Sequence, residues 1–228
     1  MSGRDAILSR IRNAVNASDD EDDPRRVAVS ARLDFPPRGV IPARGQLGHD
    51  GRIELFSKMA EKAAATVDHA ASAADVPALV SAYLRKRNLG ARLRMGSDRR
   101  LRAIPWVDER TLQVMIGPTE GSDEVTVSHA LGAIAETGTL ALASGRDNPT
   151  TLNLLSEHHI VVVDAADIAG DMETVLDSLR EGYGKGHMPR TLNFITGPSR
   201  SGDIEQTLLL GAHGPRALHV IVVGGKGG

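Results

Sequence analysis

Three segments of the chain hold residues whose types and spacing could do chemistry. In the first, Ile134-Ala135-Glu136-Thr137-Gly138-Thr139-Leu140, a carboxylate and two hydroxyls surround a Thr-Gly pair set between apolar stretches. That pattern predicts a tight hairpin with Gly138 at positive φ. Turn backbone donors, with the hydroxyls of Thr137 and Thr139, could hold a polar ligand, and Glu136 is the acid/base candidate. The competing reading is a plain turn whose hydroxyls satisfy local backbone groups, and spacing alone favours it.

The second segment, Thr196-Gly197-Pro198-Ser199-Arg200-Ser201-Gly202-Asp203-Ile204-Glu205-Gln206, reads as strand, glycine-rich loop, then a helix from Asp203 to Leu210. Unsatisfied N–H groups and the dipole at a helix start could seat a carboxylate or phosphate, helped by Ser199, Arg200 and Ser201. Thr196, Gly197, Asp203 and Glu205 complete this candidate set. Alternatively Asp203 and Glu205 complement the dipole themselves and repel a second anion. Neither a P-loop nor a dinucleotide fingerprint is present. In the third segment, Gly211-Ala212-His213-Gly214-Pro215, Gly211 and Pro215 stop a helix. His213, with Gly214 beside it, could meet a ligand or move a proton near neutral pH. A bond from His213 to the carbonyls of its helix end is the plainer reading. His158 and His159 point to opposite faces of a strand and so cannot readily share a metal. The remaining histidines show no ligand spacing, so no metal site is expected.

Composition narrows what such residues can serve. Aromatic residues are only 3% of 228, so base-stacking platforms are disfavoured, and a net charge of −2 gives no surface for strong nucleic-acid binding. The only basic cluster, Arg92, Arg94, Arg99, Arg100 and Arg102, reads as a solvated loop. With no cysteine, the chain can form no disulfide, thiol nucleophile or thiolate-held iron–sulfur cluster of its own. Apolar runs such as Ile160–Val163 are too short to span a membrane, and a cytoplasmic protein is the expectation.

The elements that must position these residues alternate. Helices are predicted at 5–15, 53–65, from Asp75, at 171–179 and at 203–210. Strands are predicted at 66–70, 91–95, 112–116, 124–127, 139–143, 160–163, 191–196 and 217–223. Ile160-Val161-Val162-Val163 is apolar on both faces, as a central strand must be. The fold class is therefore α/β, a Rossmann-like, mostly parallel sheet flanked by helices. Residues 1–50 form an N-terminal helix with an acidic linker (Asp19–Asp23, then Pro24-Arg25-Arg26) and an irregular Pro/Gly-rich stretch from Leu33 to Gly51. Residues 51–228 form the α/β domain. The glycine-rich end, Gly224 to Gly228, reads as a frayed tail.

Taken in order, Ala135-Glu136-Thr137-Gly138-Thr139-Leu140, His159-Ile160-Val161-Val162-Val163, Gly197-Pro198-Ser199-Arg200-Ser201-Gly202-Asp203-Ile204-Glu205-Gln206-Thr207-Leu208 and Gly211-Ala212-His213-Gly214-Pro215 resemble the lactate-utilization (LUD) domain family over about residues 110–223. The resemblance implies a fold similar to the ribose-phosphate isomerase and CoA-transferase group. It also implies a role in oxidising lactate to pyruvate with partner subunits that carry the iron–sulfur clusters. The absence of cysteine matches the family's small C type, which holds no cofactor itself. The resemblance assigns no catalytic residue, so Glu136 and His213 remain candidates on physical grounds. A small carboxylate and an oligomer are both compatible with this reading. The alternative is a free-standing enzyme or binding protein of the same fold for a phosphorylated sugar, nucleotide or CoA ester.

Overall fold

A computed structural model describes residues 2–15, 23–204, 207–211 and 213–224, the side chains of 201–210 excepted. The chain divides into two compact units, 1–39 and 40–228.

In the first unit, helix α1 (Gly3–Ala14) starts at a capping box: the Asp5 N–H donates to Ser2 Oγ at 3.3 Å, and the Ser2 N–H donates to the Asp5 carboxylate at 3.0 Å. Helix α2 (Pro24–Asp34) corrects the reading of Pro24-Arg25-Arg26 as linker. Asp23 accepts the Arg25 N–H at 2.8 Å and Pro24 occupies the first turn, where its missing donor costs nothing. The acidic run up to Asp22 lies outside the described residues.

The second unit begins earlier than the expected boundary at residue 50, because residues 40–50 are tied to the body. Gly45 and Gly170 pack backbone to backbone, so that a Cβ on Gly45 would lie 2.0 Å from the Gly170 carbonyl oxygen. Beside them Gln46 Nε2 donates to Asp171 Oδ2 at 2.9 Å. The chain then forms α3 (His49–Lys62), β1 (Thr66–Ala70), α4 (Val76–Lys86), β2 (Arg92–Met95), α5 (Arg99–Ala103), β3 (Gln113–Ile116), β4 (Val125–His129), β5 (Gly132–Ile134), β6 (Thr139–Ala143) and α6 (Thr151–Leu154). It continues as β7 (His158–Asp164), β8 (Ile168–Ala169), α7 (Met172–Tyr183), β9 (Leu192–Ile195), β10 (Arg200–Ile204), β11 (Thr207–Leu210) and β12 (Ala217–Val223).

The main sheet has the order β1-β12-β7-β4-β2-β3, and every neighbouring pair is parallel. This is the expected α/β sheet. In the central strand β7, Val161 and Val163 join the core that includes Phe56 of α3, whereas Ile160 and Val162 face Val80 and Leu84 of α4. Burial on both faces explains the unbroken apolar run. The Arg92–Arg102 run is not a solvated loop: Arg94 lies in β2 and pairs with the buried carboxylate of Asp123, which Arg92 also reaches at 3.3 Å.

Two further expectations change. The predicted strands at 139–143 and 191–196 exist, but they belong to a second sheet, β8-β5-β6-β9, in which β6 runs antiparallel to both β5 and β9. The predicted helix at 203–210 is instead an antiparallel hairpin of β10 and β11, with Arg200 opposite Leu210 and Ser201 opposite Leu209. The hairpin base is closed by the Gly211 N–H donating to the Ser199 carbonyl at 3.0 Å. The glycine-rich tail past Gly224 lies outside the described residues.

Candidate functional site

The first two glycine bends meet one helix end. Gly138, at φ +67°, closes the β5–β6 hairpin by donating its N–H to the Ile134 carbonyl at 3.0 Å. A Cβ there would lie 2.3 Å from the Ala60 nitrogen of α3. Gly197, at φ +74°, sits equally close: its Cβ would lie 2.1 Å from the Ala63 carbonyl oxygen. Arg200 Nη2 donates to that same oxygen at 3.1 Å, placing a cation at the negative end of the helix dipole. A row of hydroxyls ties the bends together, Thr137 to Thr139 at 2.7 Å and Thr139 to Thr196 at 2.6 Å. Glu136 is buried and donates its N–H to the Gly170 carbonyl at 3.3 Å. Its Oε2 lies 3.8 Å from Arg44 Nε. These residues build a joint between the small sheet and α3.

The rest of the glycine-marked set faces a cavity of about 190 Å³. Of the sequence candidates, Thr196, Gly197, Ser199, His213 and Gly214 line it, and Glu136, Thr137, Gly138, Thr139 and Arg200 do not. Ser199 is held by its backbone: its N–H donates to the Pro215 carbonyl at 2.8 Å, and its Oγ accepts the His213 N–H at 3.4 Å. The hydroxyl therefore keeps its own proton as a donor. The Asp203 side chain and the whole of Glu205 lie outside the described residues. Among the described residues no helix starts in this segment, the Ser199 N–H is spent on Pro215 and Arg200 donates to the end of α3, so they form no helix-start seat for an anion.

The cavity also exposes what sequence reasoning missed. Asn153 of α6 and His159 of β7 line it. His159 is fully buried, and its Nε2 lies 3.0 Å from Ser128 Oγ. Ser128 in turn donates to the Asn153 amide oxygen at 2.9 Å. Since that bond uses the hydroxyl proton, the serine accepts from the imidazole, and His159 carries its proton on Nε2. Its Nδ1 is then a buried lone pair, and it has no hydrogen-bond partner. Burial lowers the pKa of this ring to about 3, so it is neutral. His158 points to the other face, where its Nδ1 meets the Tyr83 hydroxyl at 2.8 Å. A histidine beside a strand's apolar run was the available signal, but it names no partner.

The cavity is lined by Ser199, Asn153 and the buried His159 ring, with apolar walls from Phe194 and Leu218. Its size suits a small molecule. It lies at the amino-terminal ends of β7 and β12, whereas open α/β sheets usually bind ligands at the carboxyl ends. That opposite edge carries a cavity of about 260 Å³ with Arg100 and His129 in its lining. There Arg100 lies 3.7 Å from Asp167, His129 lies 3.5 Å from Asp164 and 2.8 Å from the Ala130 carbonyl, and Arg146 and Asp147 complete the charged lining. The motif cavity is chosen because the sequence candidates Thr196, Gly197, Ser199, His213 and Gly214 line it; a buried atom without a hydrogen-bond partner also occurs on His69 and Arg52, which line two other cavities.

Comparison with known proteins adds to this picture. Residues 121–223 match the family model described as the LUD domain, a span that contains every residue of the motif cavity. Lactate utilization protein C of Geobacillus sp. (strain WCH70) is 40% identical over 91 residues, 40% of this chain and 38% of that protein. Lactate utilization protein C of Bacillus subtilis (strain 168) is 37% identical over 91 residues, 39% of this chain and 38% of that protein. The match to this chain thus spans 38% of the length of each of these relatives. The crystal structure of a DUF162 family protein from Deinococcus radiodurans is similar with a TM-score of 0.55 and 25% identity, covering 78% of this chain and 99% of that one.

Proposed function

We propose that this LUD-domain chain acts in lactate utilization, as a cytoplasmic subunit or accessory protein that works with iron–sulfur partner subunits in oxidising lactate to pyruvate. Its motif cavity binds a small carboxylate in that work. The observation that carries the reading is that the cavity, with Ser199, His213 and His159, lies wholly inside the segment matching the LUD domain. The names of the matched relatives supply the metabolic setting. The absence of cysteine supports a division of labour, because this chain has no thiolates with which to carry electrons.

A free-standing enzyme for a phosphorylated sugar, nucleotide or CoA ester would need a phosphate cradle. The segment read for that role forms a hairpin, and its arginine caps α3. Deletion of the gene should impair growth on lactate as the sole carbon source. The native chain should co-purify with iron–sulfur proteins, seen as their visible absorbance in the eluate. Undiminished growth on lactate would overturn the reading.

A further inference from the structure

We propose that a cleft at the carboxyl ends of β2 and β4, on the edge of the sheet opposite the motif cavity, binds a small oxyanion between Arg100 and Arg146. This site does not depend on the lactate-utilization reading, and the two can fail separately.

The strand order β1-β12-β7-β4-β2-β3 sets where such a cleft must lie. From β2 the chain moves outward to β3, whereas from β4 it moves the other way to β7. Adjacent parallel strands whose connections leave in opposite directions open a crevice at their carboxyl ends, the usual seat of a ligand in an open α/β sheet. Here that crevice is the cavity of about 260 Å³. His129, the last residue of β4, lines it beside Arg100, which follows β2 in α5. The loop after β6 adds Ser144, Arg146 and Asp147 to the lining and is pinned in place. A Cβ on Gly96 would lie 2.1 Å from the Asp147 carbonyl oxygen. Ser97 Oγ donates to Asp147 Oδ1 at 2.5 Å, and Asn148 Nδ2 donates to Asp98 Oδ2 at 2.9 Å. The cleft is built without a ligand.

Its donors are unspent. The Arg100 backbone N–H donates to Asp98 at 2.8 Å, which anchors the residue, but its guanidinium makes no hydrogen bond among the described residues. The nearest carboxylate oxygens, on Asp98 and Asp167, lie 3.5 and 3.7 Å away, and the side chain stays 37% exposed. Arg146 is exposed and, among the described residues, in no ion pair. Ser144 Oγ accepts the Thr191 N–H at 2.8 Å and keeps its own proton. Two planar cations and a hydroxyl suit the oxygens of a carboxylate or a phosphate, which an arginine fork grips with two bonds at once. Of the acids nearby, Asp98 is committed to the Arg100 N–H and to Asn148, and Asp147 to Ser97. Burial and the charge of Asp164 raise the pKa of Asp167. An incoming oxyanion can thus take the guanidinium from contacts too long for strong hydrogen bonds. The His129 ring is no rival cation. Its Nδ1–H goes to the Ala130 carbonyl at 2.8 Å, and burial, then Arg100, holds its pKa below the usual histidine value.

The test titrates the full chain with inorganic phosphate and, separately, with L-lactate, by calorimetry and by NMR of the histidine rings. His129 is faced by Arg100 and by the acids Asp164, Asp98 and Asp167. A bound oxyanion masks Arg100, so the His129 titration should move to higher pH. Whichever probe moves it at the lower concentration, phosphate or carboxylate, identifies the head group of the ligand. Arg100→Gln should weaken that anion by roughly tenfold to hundredfold, the worth of charge-assisted bonds to an arginine. Arg146→Ala, at an exposed position, should weaken it by about threefold. Ser199→Ala, in the motif cavity, should leave it unchanged. The site is overturned if neither anion shifts the His129 titration, if the affinity survives Arg100→Gln, or if Ser199→Ala abolishes it, which would seat the anion at the opposite edge. Should Arg100→Gln fail to fold, Arg146→Ala decides, and an unchanged constant there overturns the site. Growth separates the two readings. A chain needed for growth on lactate in which neither anion reaches His129 keeps its metabolic role and loses this site. A chain that binds the anion at Arg100 yet is dispensable on lactate keeps the site and loses the role.

Discussion

The glycine-marked segments divide into two halves built from the same residue types. Gly138 and Gly197 pack against the last turn of α3, and Arg200 donates to the Ala63 carbonyl at its end. Ser199, His213 and Gly214 line a cavity together with Asn153 and the buried ring of His159. Glycines, hydroxyls and a cation in sequence therefore do not mark a binding loop by themselves.

The packing half should break first and most heavily. Gly197→Ala puts a methyl 2.1 Å from the Ala63 carbonyl oxygen at a φ of +74°, so both the turn and the helix end must shift. A loss on the order of 4 kcal/mol is expected by denaturant unfolding, the range reserved for backbone clash and strain. A loss below about 1 kcal/mol would show that the bend does not hold α3 in place and would dissolve the comparison.

The next effect sharpens the contrast on a pair of histidines. His159 and His219 lie near the starts of the adjacent strands β7 and β12 and face opposite sides of the sheet. The Nδ1 of His219 meets Thr66 Oγ1 at 2.8 Å and its ring stacks on Tyr83 at 4.3 Å, while its Nε2, 3.5 Å from Asp68, has no hydrogen-bond partner, as His159 Nδ1 has none. Burial pushes its pKa down to about 4, against the pull of Asp68, and pushes that of His159 to about 3. Both values lie below the ordinary 6.5, so the unfolded chain binds protons first and stability falls as pH drops below about 6.5. At pH 5 each ring should cost roughly 2 kcal/mol relative to pH 7. His129 and His158, also lowered by burial, add in the same direction. Paired urea unfolding at the two pH values reads the sum, and His219→Gln should remove about 2 kcal/mol of the difference without altering acid binding in the cavity. If it alters that binding, the two rings are not separate in function.

Much of the framework was legible because it rests on local pattern. The run Ile160–Val163 declared a strand buried on both faces, and Asp171 marks the start of α7 by accepting the Thr174 N–H at 2.9 Å. Helix α2 was hidden by its acidic approach, although Asp23-Pro24 is a capping signal. The stretch 203–210 misled because its apolar run suits a strand or a helix, and pairing with Arg200 and Ser201 decided for the strand. The small sheet was missed because β5 and β8 are too short to show a period. Within the site, Ser199 and His213 could be read as polar loop residues. His159 could not, because its meaning comes from Ser128, 31 residues away in the neighbouring strand, and from Asn153 beyond it.

The smallest effect tests the assignment of a single residue to its half. Arg200 looks like an anion ligand in sequence and caps α3 in the structure, donating to Ala63 from an exposed position. Arg200→Ala should then cost only about 0.5–1 kcal/mol, the worth of one cation at a helix carboxyl end, and the loss should shrink in high salt. The affinity for L-lactate should hold, since the guanidinium is not part of the cavity wall. The opposite pattern, unchanged unfolding with binding lost, would move Arg200 into the binding half. It would also mean that the carboxylate is met by a charge rather than by the neutral donors of Ser199 and Asn153, so the two measurements must be made on the same variant.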